Sequence, residues 1–452
     1  MFGNRRRVAD LAILGITTTL LVGARDASAQ QPAEPQHQHT QMNADEGSWQ
    51  FMQDAVVFAE FNHQGGPRGG DEFVVPNWWM GMATRNTARG RLTFSGMLSL
   101  DPATVGANGY RELFQVGEAF DGRPLIDRQH PHDFFMQLAA IWRMPIGEST
   151  GLTIAGAPVG EPALGPIAFM HRMSAADNPT APLGHHTFDS THIAFGVVTA
   201  AVDRGRWVVE GSLFNGREPD EHRWNFDFGR LDSYSGRVWF RPAEGWEIQA
   251  STGHLENPEE LEPGNIRRST TSLAWARSSE NGFGAMTIAF GRNDTDHGSR
   301  NAFLAEGAKR FGKNGVYGRF EAVQTETFVL ATGDVPEHVL STGVTVPTRC
   351  PSLVHCVEPL PPPDQRGTVL AFTFGGIRDV MNVRGFEGGF GADLTFYAAP
   401  QALRPAYGNH PVSFHLFFRL RPPAGAMGRM WNMRMSQPMQ GHGGMPMGHA
   451  MP

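Results

Sequence analysis

From Arg421 to Pro452 the chain contains no aspartate or glutamate. Calcium and magnesium are held by carboxylate and carbonyl oxygens, so this stretch is poorly made for hard cations. Thiols are almost as scarce: of 452 residues only Cys350 and Cys356 are cysteines, too few for a four-thiolate zinc site. In an oxidising compartment this pair reads as a disulfide closing a small loop. A metal thiolate pair beside His355 is the other reading. After the N-terminus no segment reaches the roughly 20 apolar residues of a spanning helix, and mean hydropathy is −0.31. A helical membrane protein is thereby excluded.

Catalytic signatures are missing as well. There is no G-x-S-x-G elbow and no H-E-x-x-H zinc helix. Val357 follows Cys356, which breaks the His-Cys-His run of a multicopper oxidase. An enzyme is not expected, although a Ser–His pair distant in sequence leaves no local trace. The formal charge of −7 gives no reason to expect nucleic acid as a partner.

What is present begins with an export signal. Arg5, Arg6 and Arg7 form a positive region, residues 11–22 an apolar one, and Ala27-Ser28-Ala29 a cleavage site. Residues 1–29 are therefore expected to be removed. That takes away four arginines and two aspartates, so the charge of −7 becomes −9. Residues 30–48, rich in Gln, Pro and His, read as a disordered polar leader.

From 49 to 421 the chain alternates apolar and polar residues in short runs, without long helical periodicity. In residues 91–100, Leu92, Phe94, Leu98 and Leu100 share one face, and Arg91, Thr93, Ser95 and Ser99 the other. In 386–397, Phe386, Phe390, Leu394 and Phe396 oppose Glu387, Asp393 and Thr395. In 412–420, Val412, Phe414, Leu416, Phe418 and Leu420 oppose Ser413, His415 and Arg419. A period of two with charge opposite is the mark of a sheet that is apolar on one side. Connections alternate too. Short turns at 203–205, 242–245, 278–282, 311–314 and 378–384 are separated by longer loops near 216–232, 256–265, 293–300, 328–366 and 398–410.

Short turns at one end and long loops at the other define outer-membrane β-barrels. The expected fold is all-β: a transmembrane up-and-down antiparallel β-barrel of about sixteen strands (roughly 14–18), with disordered N- and C-terminal segments. Closure leaves no strand edge unsatisfied in lipid. A soluble propeller would repeat every 40–50 residues or so, and no such repeat is found.

Residues 49–420 thus resemble the bacterial outer-membrane β-barrel class. The aromatic-rich strand Val412-Ser-Phe-His-Leu-Phe-Phe-Arg-Leu420 is similar to the closing strand read by the barrel-assembly machinery, although here residues 422–452 follow it. The layout is also similar to copper-resistance outer-membrane proteins, which join a barrel to a Met/His-rich extension. This resemblance implies a Gram-negative outer membrane, contact with its lipid, and copper as partner. It allows a homotrimer, as in porins of this size. With an even strand count, both termini are expected to be periplasmic.

Candidate ligands fall into two groups. Residues 422–452 form a Met/His-rich tail, expected to be disordered, which offers Met427, Met430, Met433, Met435, Met439, His442, Met445, Met447, His449 and Met451. Thioethers favour Cu(I), and imidazole suits copper, zinc or nickel. The second group lies in two outer loops: His130 and His132 in Asp127-Arg-Gln-His-Pro-His-Asp133, then His171, His185 and His186, with His192 beyond. If these loops fold inward they line one site; taken singly, each histidine is a solvated loop residue. The leading expectation is a barrel that binds, tolerates or transports copper through a periplasmic Cu(I)-capturing tail. The alternatives are a general porin with an incidental tail, and a surface interaction barrel.

Overall fold

Closure of the wall follows from pairing between its first and last strands. A computed structural model describes residues 47–189, 193–279, 281–333, 365–423, 429–431 and 433–436. The wall begins with β1 (Trp49–Gln64), β2 (Gly70–Val74), β3 (Asn77–Thr87) and β4 (Gly90–Leu98). A hairpin of β5 (Tyr110–Phe120) and β6 (Arg123–Gln129) forms a ladder of its own and packs against the wall, with Leu113 and Phe114 among buried wall residues. The wall resumes with β7 (Phe135–Ile146), β8 (Thr150–Gly160), β9 (Ala194–Arg204), β10 (Trp207–Phe214), β11 (Ser233–Phe240) and β12 (Trp246–Leu255). It ends with β13 (Ile266–Ser279), β14 (Gly282–Thr295), β15 (Gly298–Phe311), β16 (Asn314–Glu326), β17 (Arg366–Val383), β18 (Phe386–Ala398) and β19 (Val412–Arg421).

Every neighbouring pair is antiparallel, and β19 returns to β1 with Val57 opposite Leu420 and His63 opposite Phe414. Short β2 and β3 share the other edge of β1, covering Glu60–Gln64 and Trp49–Val57 respectively. The break between them falls at Val75-Pro76, where proline cannot donate to a ladder. Taken together as one position, they give a closed antiparallel barrel of sixteen strands, as the alternation predicted.

Alternation sets the two faces. Phe372, Phe374, Phe390, Leu394, Phe396 and Leu416 point outward and are exposed, while Thr373, Asp393, Thr395, His415 and Arg419 point inward and are buried. An outward belt of large apolar side chains is what lipid covers. Inside, charges are paired across strands: His415 Nδ1 lies 2.6 Å from Asp393, Arg237 Nε 2.8 Å from Glu210, and Arg319 Nε 3.1 Å from Glu306.

Three expectations need correction. The loop expected at 293–300 is mostly strand, because β14 and β15 continue to Thr295 and Gly298. Outward residues there are polar, and Arg292 bonds Asp294 at 2.8 Å, so the ladder runs on into water after the apolar signal stops. The turn expected at 378–384 is only Arg384-Gly385, both with positive φ (53° and 82°), as a tight two-residue hairpin requires. Finally, the tail expected to be disordered from 422 onward includes packed pieces. Met430, Met433 and Met435 are buried, and Arg429 and Arg434 reach carboxylates of the wall.

Candidate metal centre

Two segments join the β5–β6 hairpin inside the wall. The first is the connection from β8 to β9, where residues 161–189 are all buried except half-buried His186. Loops normally run over the surface because their backbone needs partners, and here the inner wall supplies them. Ala163 N–H donates to Ser212, Gly165 N–H to Ser251, and Gly184 N–H to Glu321, at 2.8, 2.9 and 3.1 Å. Arg172 joins Asp189 of the same loop (3.0 Å) to Glu306 of β15 (2.7 Å). Asp177 faces Arg310, Arg419 and Arg421. Burial alone would raise the Asp177 carboxyl, but those guanidiniums hold it well below the usual range.

The second segment is the piece of tail after β19. Arg429 bonds Asp54 of β1 (2.9 Å) and Glu387 of β18 (2.7 Å), and Met430 N–H donates to Asp54 (3.1 Å). Further along, Arg434 pairs with Glu247 of β12 at 3.0 Å and lies over the Trp239 ring at 4.0 Å. This path brings Met430 and Met433 to a buried group containing Met52, Met80, Met82, Met97, Met136 and Met170. Eight of that group's fourteen members are methionines, with Phe169, Phe195 and small aliphatic residues making up the rest. Unbranched methionine fills irregular gaps well, yet the same thioethers are soft ligands. Met435 packs elsewhere, with Leu164 and Ile141.

The histidines divide three to two. His130, His185 and His186 converge, each offering a ring nitrogen within 4.8 Å of the others. His130 follows β6, and the other two open the single helical turn His185–Phe188. His132 does not join them; its Nδ1 bonds Asp101 at 2.8 Å. His171 is separate too, set edge-on to Trp78 with ring centres 5.5 Å apart. Burial holds the His130, His185 and His186 imidazoles below their ordinary pKa and pushes His171 down to about 4. All four are therefore neutral at pH 7, the form in which imidazole binds metal.

Other candidates are not located by the structure. Met427, Met439, His442, Met445, Met447, His449, Met451, His192, Cys350 and Cys356 lie outside the described residues. Conversely, sequence reading passed over Met52, Met80, Met82, Met97 and Met136. Their signal was available, since Met80 and Met82 stand two apart and so share the inner face of β3. The β5–β6 hairpin was also passed over, although Asp121-Gly122 is a hairpin dipeptide and both residues have positive φ (53° and 69°).

A closed antiparallel wall of sixteen strands with an outward apolar belt is the architecture of outer-membrane β-barrels, and this chain has it. No family model matches the sequence and no curated relative does. Among solved structures it is similar to a loop-deleted OmpT, an outer membrane protein of Vibrio cholerae. That match has 8% identity and a TM-score of 0.47, and covers 83% of this chain and 100% of that one. It is similar to an anion-selective porin from Comamonas acidovorans at 9% identity and a TM-score of 0.43, covering 83% and 100%. Pseudomonas putida OprB gives 9% identity and a TM-score of 0.47, covering 84% and 94%. Such distant likenesses say nothing of what this chain binds or passes.

Proposed function

We propose that this outer-membrane barrel handles a soft metal cation, Cu(I) before others, in a lumen lined by thioethers. One observation supports the reading above all: Met430 and Met433 of the carboxylate-free tail enter the barrel and join six buried methionines of wall and plug. Thioether sulfur favours Cu(I) over hard cations, and several of them on one path permit stepwise passage between sites. The short-turn end carries both the start of β1 and the end of β19 and, on this reading, faces the periplasm. The tail there captures the ion, and the lumenal methionines hold or pass it. β19, with its aromatic outward face, is the strand the assembly machinery would read.

The test is titration of the full-length, detergent-folded barrel with Ag(I), a redox-inert stand-in for Cu(I). In Met430→Leu/Met433→Leu, near in volume, at least tenfold weaker uptake is expected with the barrel still folded. Unchanged uptake would remove the lumenal thioethers from the function.

The sixteen-strand wall with charged inner faces favours a second reading, a general porin. Residues 161–189 and the tail narrow that lumen, so single-channel recordings separate the two. A steady open conductance indifferent to copper would favour the porin.

A further inference from the structure

We infer that His130, His185 and His186 form a second metal site, distinct from the thioether lumen, for one divalent first-row cation of the zinc or copper(II) class. Their rings make a nearly even triangle, with centres 5.5, 5.3 and 5.1 Å apart. Among the described residues they are the set of three donors whose nitrogens lie within 4.8 Å of one another. Tetrahedral ligation at about 2.0–2.1 Å would bring those nitrogens to roughly 3.3 Å. Only a small inward shift of loop side chains is needed.

The surroundings are arranged as a metal site requires. His185 Nδ1 bonds Asp189 at 2.6 Å; His130 Nδ1 lies 3.1 Å from Glu118 and 3.2 Å from the Pro131 carbonyl, and His186 Nδ1 stands 3.6 Å from Glu218, near it but beyond hydrogen-bond length. Metal-binding histidines commonly donate one ring N–H to a carboxylate, which fixes the ring and makes the other nitrogen a better ligand. In His130 and His186 that other nitrogen, Nε2, is buried with no hydrogen-bond partner among the described residues. A buried acceptor left so is costly, and a bound cation would satisfy both at once. Gly117 gives His186 its room, since a Cβ there would sit 2.2 Å from Nε2.

Charge supplies the route in. A cavity of about 450 Å³ at the long-loop end reaches Glu118 and Glu218, the carboxylates beside His130 and His186; Asp220, Glu221, Asp227 and Glu260 on its lining outnumber its one guanidinium, Arg217. Glu260 and His222 on its lining are exposed, so it opens to solvent. An acidic mouth concentrates cations. Three neutral imidazoles then select a borderline metal over calcium and magnesium, which seek oxygen. One coordination position remains for water or for a ligand arriving with the ion.

The experiment is equilibrium dialysis of the full-length barrel in detergent against Zn(II), with Co(II) as a visible-absorption probe. Wild type should bind one more tight ion per chain than His130→Ala/His186→Ala, and only wild type should show tetrahedral Co(II) bands. Glu118→Gln should weaken that ion about tenfold. Heat-modified gel mobility checks folding. If the double variant does not fold, His186→Gln takes its place, with at least a tenfold loss expected. Equal Zn(II) stoichiometry and affinity in wild type and a folded variant would overturn the site. Ag(I) uptake should persist in His130→Ala/His186→Ala. Loss of Zn(II) binding there leaves the thioether reading intact, and loss of Ag(I) uptake in the methionine variant leaves this site intact.

Discussion

The two segments that join the hairpin inside the wall are anchored differently. Loop 161–189 is tied at both ends, to β8 and β9, and holds charges of both signs: Arg172 bonds its own Asp189, and Asp177 gathers three wall arginines. The tail is tied at one end only, to β19, and its described charged residues are all arginines, each set on a wall carboxylate. The loop can therefore fold on itself, whereas the tail depends on Asp54, Glu387 and Glu247. The missing acids of the tail thus have a structural meaning. A segment whose described charges are all basic docks on carboxylates of the inner wall without internal pairing to compete.

The largest effect should come from breaking the loop's anchor. Asp177→Ala removes a carboxylate shared by three guanidiniums, leaving Arg310 and Arg419 only Asp379, and should cost about 3–5 kcal/mol in denaturant unfolding. It should also raise single-channel conductance as the plug loosens; unchanged conductance would mean that the plug is held elsewhere. Next comes pH. Folded His171 stays neutral down to about pH 4, while in the unfolded chain it takes a proton near 6.5. Stability is therefore unaffected above about pH 6.5, falls as pH drops through that window, and levels off near pH 4, a loss of up to about 3 kcal/mol. His171→Leu should flatten that slope in pH-dependent melting. A slope unchanged by the substitution would assign it to other groups.

On the tail side, Arg434→Ala removes a charged hydrogen-bond pair with Glu247 and should cost about 2 kcal/mol. Limited proteolysis should then cut near Met435, a site resistant in wild type. The smallest effect is expected from truncation after Ser436, which keeps every described contact of the tail. Stability should stay within about 0.5 kcal/mol, while Ag(I) stoichiometry falls by the sulfurs removed. Truncation after Met427 should lower stability too, and this difference separates docking from metal capture.

The wall was legible because period two survives in any strand with lipid outside and charge inside. Its limits were legible only where the apolar alternation continued, so β14 and β15 outran the reading once their outward residues turned polar, and β17 once a register shift between Asp379 and Met381 broke the period of two. The site was half legible. His130, His185 and His186 could be named from two loops, but only the fold shows that they meet while His132 and His171 turn to Asp101 and Trp78. The methionines of β1, β3, β4 and β7 read as ordinary inward positions until the tail was seen to join them. The tail's own entry into the barrel left no pattern, because it is held by isolated arginines rather than by periodicity.

Arg429 has a further consequence. Its two carboxylates sit on β1 and β18, on either side of β19, where the ends of the chain meet to shut the ring. One guanidinium therefore stitches the seam from within. A barrel whose tail had been drawn out of the lumen would be left with that seam unfastened, so the strand that locks the cylinder and the methionine-bearing segment after it are secured by the same clasp.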